Sequence, residues 1–145
     1  MKSHGHKALS RDELLRLVTD WMDAWNRHDL VAVMELFHED IVFHSWTGSQ
    51  IKKKRSLLRA WRGWFENHGD FRFETEPLVI DSERQCVTFA WTLDWPCSEP
   101  DRPEQREIRH GMDFLRFQDG AIIEKRSYSR TILELDGKKV SLRAV

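Results

Sequence analysis

A carboxylate among apolar residues is the feature of this sequence most suited to chemistry. Asp113 stands in residues 108–128, IRHGMDFLRFQDGAIIEKRSY, where apolar and polar residues alternate on both sides of an Asp-Gly pair. Such a pair between two alternating strings is a strong signal for a β-hairpin. Asp113 is therefore predicted to lie on a strand among buried neighbours, where it is either half of a structural ion pair or the reactive group of a pocket.

The geometry of the turn decides which cation faces this carboxylate. With a three-residue loop at residues 118–120, Asp113 lies opposite Lys125, and with a two-residue loop it lies opposite Arg126. An opposite charge at that distance favours the charged form of a carboxylate, whereas burial opposes it. We expect Asp113 to be ionised at neutral pH, so that it accepts hydrogen bonds or acts as a general base.

Large aromatic side chains are frequent in this chain, which has seven tryptophans and eight phenylalanines but one tyrosine. This much apolar surface predicts either a thick core or a cavity with aromatic walls. With Asp113 and Lys125 as candidate catalytic residues, the candidate substrate-binding residues are six aromatic side chains and two serines: Trp21, Trp25, Phe43, Ser45, Trp61, Trp64, Trp91 and Ser127. For each tryptophan alone, simple packing in the core is the alternative.

Composition narrows the class of protein. The 23 Lys and Arg nearly balance the 24 Asp and Glu, so no basic field predicts a nucleic-acid partner. The two cysteines cannot form a disulfide framework, and neither a signal peptide nor a long apolar run is visible, which predicts a cytoplasmic protein without a membrane partner. His38 and His44 lack an accompanying Cys/His cluster, so we expect no metal and no cofactor.

Three helices are predicted to precede most of the strands. Ser10 and Glu13 match a capping box, and an apolar stripe at helical spacing follows them. Asp29 is a suitable N-cap for a short second helix, and a third helix is predicted over residues 53–68. Residues 1–8 are predicted to be a frayed tail and residues 9–145 a single domain.

Further along the chain the apolar period changes from 3.6 to 2 residues. Besides the hairpin, strands are predicted over residues 41–46, 71–75, 86–95 and 132–135. In the first of them Phe43 and Ser45 point to one face, and Trp46 points to the other. Helices followed by antiparallel strands predict an α+β fold, with a curved sheet covered by helices on one face.

The strand that carries Asp113 is apolar on both faces. Met112 and Phe114 lie on the face that points away from Asp113, and a second copy of the chain would cover that face. We therefore expect a homodimer through the sheet. His110 points away from Asp113 as well, unless Gly111 is a bulge, so a His–Asp pair is the less favoured arrangement.

Three strings of the sequence resemble one family: AWNRHDL at residues 24–30, LFHEDIVF at residues 36–43 and DFLRFQDGAI at residues 113–122. Residues 9–135 resemble the SnoaL-like, nuclear-transport-factor-2-like superfamily, which includes ketosteroid isomerase and limonene epoxide hydrolase. The resemblance implies a cone made of a bent, mostly antiparallel sheet wrapped by three N-terminal helices, with a pocket inside and often a dimer. It does not imply one reaction, because this fold carries both enzymes and binding modules.

The resemblance also places the family's functional residues on this chain. Asp113 matches the strand aspartate of the isomerase and the catalytic aspartate of the cyclases. The isomerase's tyrosine falls on Trp21 and its aspartate base on Ser45, whereas the second aspartate of the epoxide hydrolase falls on Ser127. Steroid isomerisation and epoxide hydrolysis are therefore not expected.

The chemistry that these residues allow needs no cofactor. An ionised Asp113 can remove an acidic C–H proton from an apolar carbonyl compound, while Lys125 or a serine hydroxyl holds the enolate oxygen. This reaction type, that of a lyase, isomerase or cyclase, is similar to what the cyclases do. The alternative is a non-catalytic module of the same fold that binds a small apolar or aromatic ligand or forms a dimer.

Overall fold

The computed structural model describes residues 8–67, 69–96 and 105–141. The predicted tail over residues 1–8 lies outside the described residues, apart from residue 8. The helices and strands of the described part are, in chain order, α1 (Arg11–Asn26), α2 (Leu30–Glu35), β1 (Phe37–His44), β2 (Gln50–Lys52), α3 (Lys54–Glu66), β3 (Arg72–Thr75), β4 (Val79–Asp81), β5 (Cys86–Pro96), β6 (Arg106–Gln118), β7 (Ala121–Ser129), β8 (Ile132–Leu135) and β9 (Lys138–Ser141).

The strands form one mixed sheet with the order β2-β1-β7-β6-β5-β3. β1 and β7 are parallel, and the other pairs are antiparallel. β4 also pairs with β5, and β8 pairs with β6 and with β9. The sheet curls into a half-barrel around three helices, which confirms the predicted α+β fold. We call the face of the sheet toward the helices the inner face and the opposite one the outer face.

The start of two helices follows from their capping residues. The Glu13 amide donates to Ser10 Oγ at 3.1 Å and the Ser10 amide donates to Glu13 Oε1 at 2.8 Å, so the predicted capping box is present. Asp29 accepts from the Ala32 amide at 3.1 Å and caps α2 as predicted. α3 has no side-chain cap, and it is shorter at both ends than the predicted helix.

The first strand and the hairpin differ from their predictions. β1 begins at Phe37 and ends at His44, so it starts and stops earlier than predicted over residues 41–46. Only residues 119 and 120 form the hairpin loop, and the register shifts near Ile123, the extra residue of β7. As a result Asp113 pairs directly with Ser127, so both predicted partners across the hairpin were wrong.

The core fills the space between the helices and the inner face. On β5 the predicted alternation holds, because its inner-face residues are buried: Val87, Phe89, Trp91, Leu93 and Trp95. β6 also buries alternate residues, but Glu107, Arg109 and Asp113 are among them. Within the described ranges, no helix has both the length and the apolar character needed to cross a lipid bilayer.

Candidate functional site

A cavity of about 350 Å³ lies between the helices α1 and α3 and the inner face of the sheet. Nine of the ten candidate site residues line it: Trp25, Phe43, Ser45, Trp61, Trp64, Trp91, Asp113, Lys125 and Ser127. Met22, Thr47, Ser49, Ile51, Ala60, Phe73 and Leu93 complete its wall together with Trp46. The fold therefore brings one carboxylate, one ammonium group and several hydroxyl groups together within a mostly aromatic enclosure.

An ion pair lies in the lining of this cavity. Lys125 Nζ is 3.1 Å from Asp113 Oδ2, and both residues are only 6% exposed. Lys125 lies two residues from Ser127 on β7, so it reaches Asp113 diagonally across the strands, on the same face of the sheet. Lys125 Nζ also donates to Ser127 Oγ at 2.5 Å. The predicted cation is therefore present beside Asp113, although the register that places it differs from the predicted one.

Aromatic rings surround the buried ammonium group. Lys125 Nζ lies 4.8 Å from the ring centroid of Phe43 and 5.9 Å from that of Trp61. Phe43 is the neighbour of Lys125 in the parallel β1–β7 ladder, which places its ring beside the cation. A cation over an aromatic face is stabilised more when water is excluded. These contacts replace part of the hydration that Lys125 loses on burial.

A tryptophan on β5 fixes the other oxygen of the carboxylate. Trp91 Nε1 donates to Asp113 Oδ1 at 3.0 Å. Trp91 pairs with Gly111 in the ladder, and a Cβ on Gly111 would overlap the six-membered ring of Trp91. The missing side chain lets the indole lie across β6 and reach Asp113. Gly111 thus provides space and forms no bulge, since the β5–β6 register is regular through it.

His110 does not approach Asp113. Its Nδ1 lies 3.3 Å from Thr92 Oγ1, and its Nε2 lies 3.4 Å from Glu134 Oε2. Because the strand stays regular at Gly111, the odd and even residues of β6 keep opposite faces. The less favoured His–Asp pair is therefore absent.

Trp21 is the candidate residue that lies outside the cavity lining. It is buried, and its Nε1 donates to the carbonyl oxygen of Val33 at 3.0 Å. Its ring packs edge-on against Trp25 and Phe37. Trp21 therefore joins α1 to the α2 segment, and the expectation that it binds substrate is corrected to a packing role.

The expectation for Trp46 was also wrong, because its side chain lines the same cavity as Phe43. The predicted strand would have placed it on the face opposite Phe43, but β1 ends at His44 and a turn over residues 45–49 follows. Its ring centroid lies 5.6 Å from that of Trp91 and 4.9 Å from the guanidinium carbon of Arg109. The Thr47-Gly48-Ser49 string was the sequence signal that the alternation stops here.

A second buried ion pair lies on the inner face of β6, outside the cavity lining. Arg109 Nε donates to Glu107 Oε2 at 2.9 Å, and Trp95 Nε1 donates to the same oxygen at 2.7 Å. Neither Glu107 nor Arg109 was among the residues predicted for the site. Both share the odd-numbered face with Asp113, so the strand alternation was the signal that could have found them.

Three hydroxyl groups cluster on the turn beside the cavity. Ser45 Oγ lies 2.8 Å from Thr47 Oγ1 and 2.6 Å from Ser49 Oγ. The two serines and Thr47 all line the cavity. They give its wall a polar patch that is separate from the ion pair.

The described ranges contain no group of three or more His, Cys, Asp or Glu residues arranged to hold a metal ion. His38 pairs with Asp119 at 3.3 Å, and His44 lies 3.6 Å from Glu124. The two histidines therefore have separate carboxylate partners.

Comparison with solved structures finds the same fold in proteins of low sequence identity. One is the epoxide hydrolase/cyclase-like enzyme SalBIII, which has a role in pyran ring formation in the polyether salinomycin. It has a TM-score of 0.72 and 14% sequence identity, and the match covers 83% of this chain and 93% of that chain. A protein proposed to be a polyketide cyclase, from Xanthomonas campestris pv. campestris, has a TM-score of 0.69 and 20% identity over 83% and 92%. An LEH-like epoxide hydrolase from M. tuberculosis has a TM-score of 0.67 and 18% identity over 82% and 84%.

At these identities the structural likeness shows the fold alone. A comparison with curated protein sequences finds no significant match. The family model described as "SnoaL-like domain" matches residues 18–125, a range that contains Asp113, Lys125 and most of the cavity wall. The chain therefore belongs to the SnoaL-like domain family.

Proposed function

We propose that this SnoaL-like domain is a cofactor-independent enzyme of the lyase, isomerase or cyclase type. Its general base is Asp113, and its substrate is a small apolar or aromatic carbonyl compound held between the tryptophans. The observation that carries the proposal is the buried Asp113–Lys125 pair in the lining of a cavity whose remaining wall is mostly aromatic. The structural neighbours described as a cyclase and a cyclase-like enzyme support the same reaction class.

The reaction begins with proton transfer to Asp113. The carboxylate takes a proton from the carbon next to the substrate carbonyl, and the C–H electron pair moves to form an enolate. Lys125 donates a hydrogen bond to the enolate oxygen. In an isomerase Asp113 then returns the proton to a different carbon. In a cyclase the enolate carbon attacks a second carbonyl carbon of the same molecule and the π electrons of that carbonyl move to its oxygen. The resulting alkoxide takes the proton from Asp113, which regenerates the carboxylate.

The charges of the site suit this step. Before the reaction, the ammonium of Lys125 is balanced by the carboxylate of Asp113 at 3.1 Å. After proton transfer Asp113 is neutral and the enolate carries the negative charge. Lys125 therefore keeps a counter-ion throughout, and no unpaired charge arises in a site where it would be costly.

Two hydrogen-bond donors hold the Asp113 carboxylate and leave part of its acceptor capacity free. Trp91 and Lys125 each donate to one oxygen of Asp113. A carboxylate has about four lone-pair sites, so two remain for the substrate.

A test needs a carbonyl probe and no knowledge of the natural substrate. 2-Tetralone is an uncharged aromatic ketone with acidic α-hydrogens, and their exchange in D₂O is followed by proton NMR. We expect the protein to accelerate exchange and Asp113→Asn to reduce that acceleration about 10²-fold or more. Glu124→Gln is the matched control, because it removes a carboxylate paired with arginines on the outer face.

Exchange by folded Asp113→Asn protein at the wild-type rate would exclude Asp113 as the base. The folded state of each variant is verified by urea titration under the assay conditions. Binding of 2-tetralone without faster exchange would favour the second candidate function, a non-catalytic ligand-binding module. The observation behind that candidate is that both oxygens of Asp113 already accept bonds from protein groups, as in a structural ion pair.

We also propose a homodimer through the outer face of the sheet. Met112, Tyr128 and Ile132 are about half exposed there, at 47%, 57% and 53%. Met112 and Tyr128 are direct partners in the β6–β7 ladder, so their side chains form one continuous apolar surface. A second copy of the chain would remove that surface from water.

A further inference from the structure

Trp46 differs from the other tryptophans of the cavity wall in the element that carries it and in the residues that its ring contacts. Trp25 packs against Trp61, Trp64 and Phe73, which join α1, α3 and β3 in one aromatic cluster. Trp46 instead stands on the turn after β1, and its described ring contacts are Trp91 and Arg109. Both of these partners are on the sheet, Trp91 on β5 and Arg109 on β6.

The turn that carries Trp46 is held largely by bonds within itself. The Ser45 amide donates to the Ser49 carbonyl at 2.9 Å, and the Gly48 amide donates to the Ser45 carbonyl at 3.0 Å. Gly48 has φ of +93°, and a side chain added there would meet nothing within 4 Å. Residues 45–49 join β1 to β2, and these two hydrogen bonds close the turn on itself without tying it to β7.

Arg109 is fixed where it can hold the ring of Trp46. Its side chain is 7% exposed, and its Nε donates to Glu107 Oε2, which also accepts from Trp95. The guanidinium carbon lies 4.9 Å from the ring centroid of Trp46. A guanidinium that is already desolvated and locked by a carboxylate gains a cation–π contact without further loss of freedom.

We propose that Trp46 is the gate of the cavity and that Arg109, which does not line the cavity, is the positioning residue that keeps the gate closed. The inference rests on the proposed function in so far as the cavity admits a small molecule. When the turn swings outward, Trp46 leaves both Arg109 and Trp91 and opens the wall beside the Asp113–Lys125 pair. The gate admits uncharged, flat aromatic compounds, because they can stack on Trp46 and Trp91 as the wall closes.

Stopped-flow fluorescence with N-phenyl-1-naphthylamine measures the gate directly, since this uncharged probe brightens in apolar surroundings. Glu107→Gln combined with Arg109→Met removes both charges and leaves no unpaired carboxylate. We expect this double variant to release the probe about tenfold faster, which corresponds to about 1.4 kcal/mol. Trp46→Ala is expected to release it at least as fast, and adding the double variant to Trp46→Ala should change nothing more.

Arg116→Met is the control for the loss of an arginine from β6, because its side chain lies on the outer face, paired with Glu124. Its release rate should equal that of the wild type. Arg109→Lys keeps a cation beside Glu107 with a poorer fit to the ring, so its release rate should be intermediate. Unchanged release from both Arg109 variants, or full additivity with Trp46→Ala, would overturn the proposal.

A measurement without ligand separates this inference from the proposed function. In protein labelled with 5-fluorotryptophan, the ¹⁹F signal of Trp46 is assigned by its loss in Trp46→Phe. We expect the Glu107→Gln, Arg109→Met variant to shift and sharpen this signal, as a ring that has left Arg109 gains mobility. An unchanged Trp46 signal refutes the gate even if the probe binds. Absence of probe binding with a shifted signal refutes the proposed function and leaves the gate standing.

Discussion

The strongest prediction concerns the free energy of unfolding after loss of one partner of the Asp113–Lys125 pair. The two residues are each 6% exposed and their charges are 3.1 Å apart, so removal of either charge leaves the other buried without its partner. Breaking a buried pair in this way costs about 3–5 kcal/mol. Asp113→Asn turns an amide N–H₂ or a neutral oxygen toward the ammonium, and Lys125→Met leaves the carboxylate with the Trp91 N–H as its remaining donor in the site.

The double variant Asp113→Asn, Lys125→Met has no buried charge, and the methionine fills the space between the Phe43 and Trp61 rings. We expect it to lose at most about 1 kcal/mol, since replacing both ions of a buried pair is often nearly neutral. The coupling energy of the cycle, which is the difference between the summed single losses and the double loss, is then about 5 kcal/mol or more. Urea unfolding followed by tryptophan fluorescence, extrapolated linearly to water, measures all four proteins.

A second double-mutant cycle, on the more exposed Glu124–Arg126 pair, is the control for this result. Glu124 and Arg126 are 2.6 Å apart on β7, but the arginine side chain is 45% exposed. An exposed pair contributes about 1 kcal/mol or less, so the cycle of Glu124→Gln and Arg126→Met should give a small coupling energy. Equal coupling in the two cycles, or additive effects of Asp113→Asn and Lys125→Met, would refute the argument that burial makes the site pair strong.

Three further predictions follow from other parts of the chain. Gly111→Ala should cost about 1–3 kcal/mol, because the new methyl group overlaps the Trp91 ring and backbone of β7; urea unfolding measures the loss. Burial raises the pKa of Glu124, but hydrogen bonds from two arginines outweigh it and the net pKa lies below the usual 4.5. The unfolded state then binds the proton more tightly, so the stability from Glu124 is present above about pH 4.5 and falls below it; Glu124→Gln should flatten that acid limb of the stability curve. Tyr128→Glu should convert a dimer to monomers in sedimentation equilibrium, and a wild-type monomer at high concentration would contradict the proposed interface.

Features set by neighbouring residues could be predicted from the sequence. The capping box at Ser10 and the cap at Asp29 depend on three or four residues each, and both are present. The alternation of β5 was predicted for the same reason, because each residue's face follows from its parity. These local features, together with the change of period along the chain, determined the fold class.

The site itself depends on features that local patterns do not contain. One extra residue near Ile123 shifts the hairpin register, so that Ser127 and not Lys125 pairs with Asp113. Trp46 turns inward because β1 ends at His44, where its pairing with β2 and with β7 also ends. Where a strand ends depends on how far its neighbouring strands extend, and local sequence does not show that. The indole of Trp21 finds its acceptor on α2, a contact created by the packing of two helices.

β6 carries two carboxylates in nearly the same surroundings, and one difference between them bears on the proposed general base. Glu107 and Asp113 each accept an indole N–H from a tryptophan of β5 and each pair with a buried cation. The cation beside Glu107 is Arg109 of the same strand, and neither of these two residues lines the cavity.

The cation beside Asp113 comes from β7, and both members of this second pair line the cavity with an aromatic ring on the ammonium. Burial and pairing with a cation do not distinguish Glu107 from Asp113 as a candidate general base. Their position relative to the cavity separates them, because Asp113 and Lys125 line it and Glu107 and Arg109 do not. This difference supports the proposal that Asp113 is the general base, and it agrees with the proposal that the buried Glu107–Arg109 pair positions the wall at Trp46.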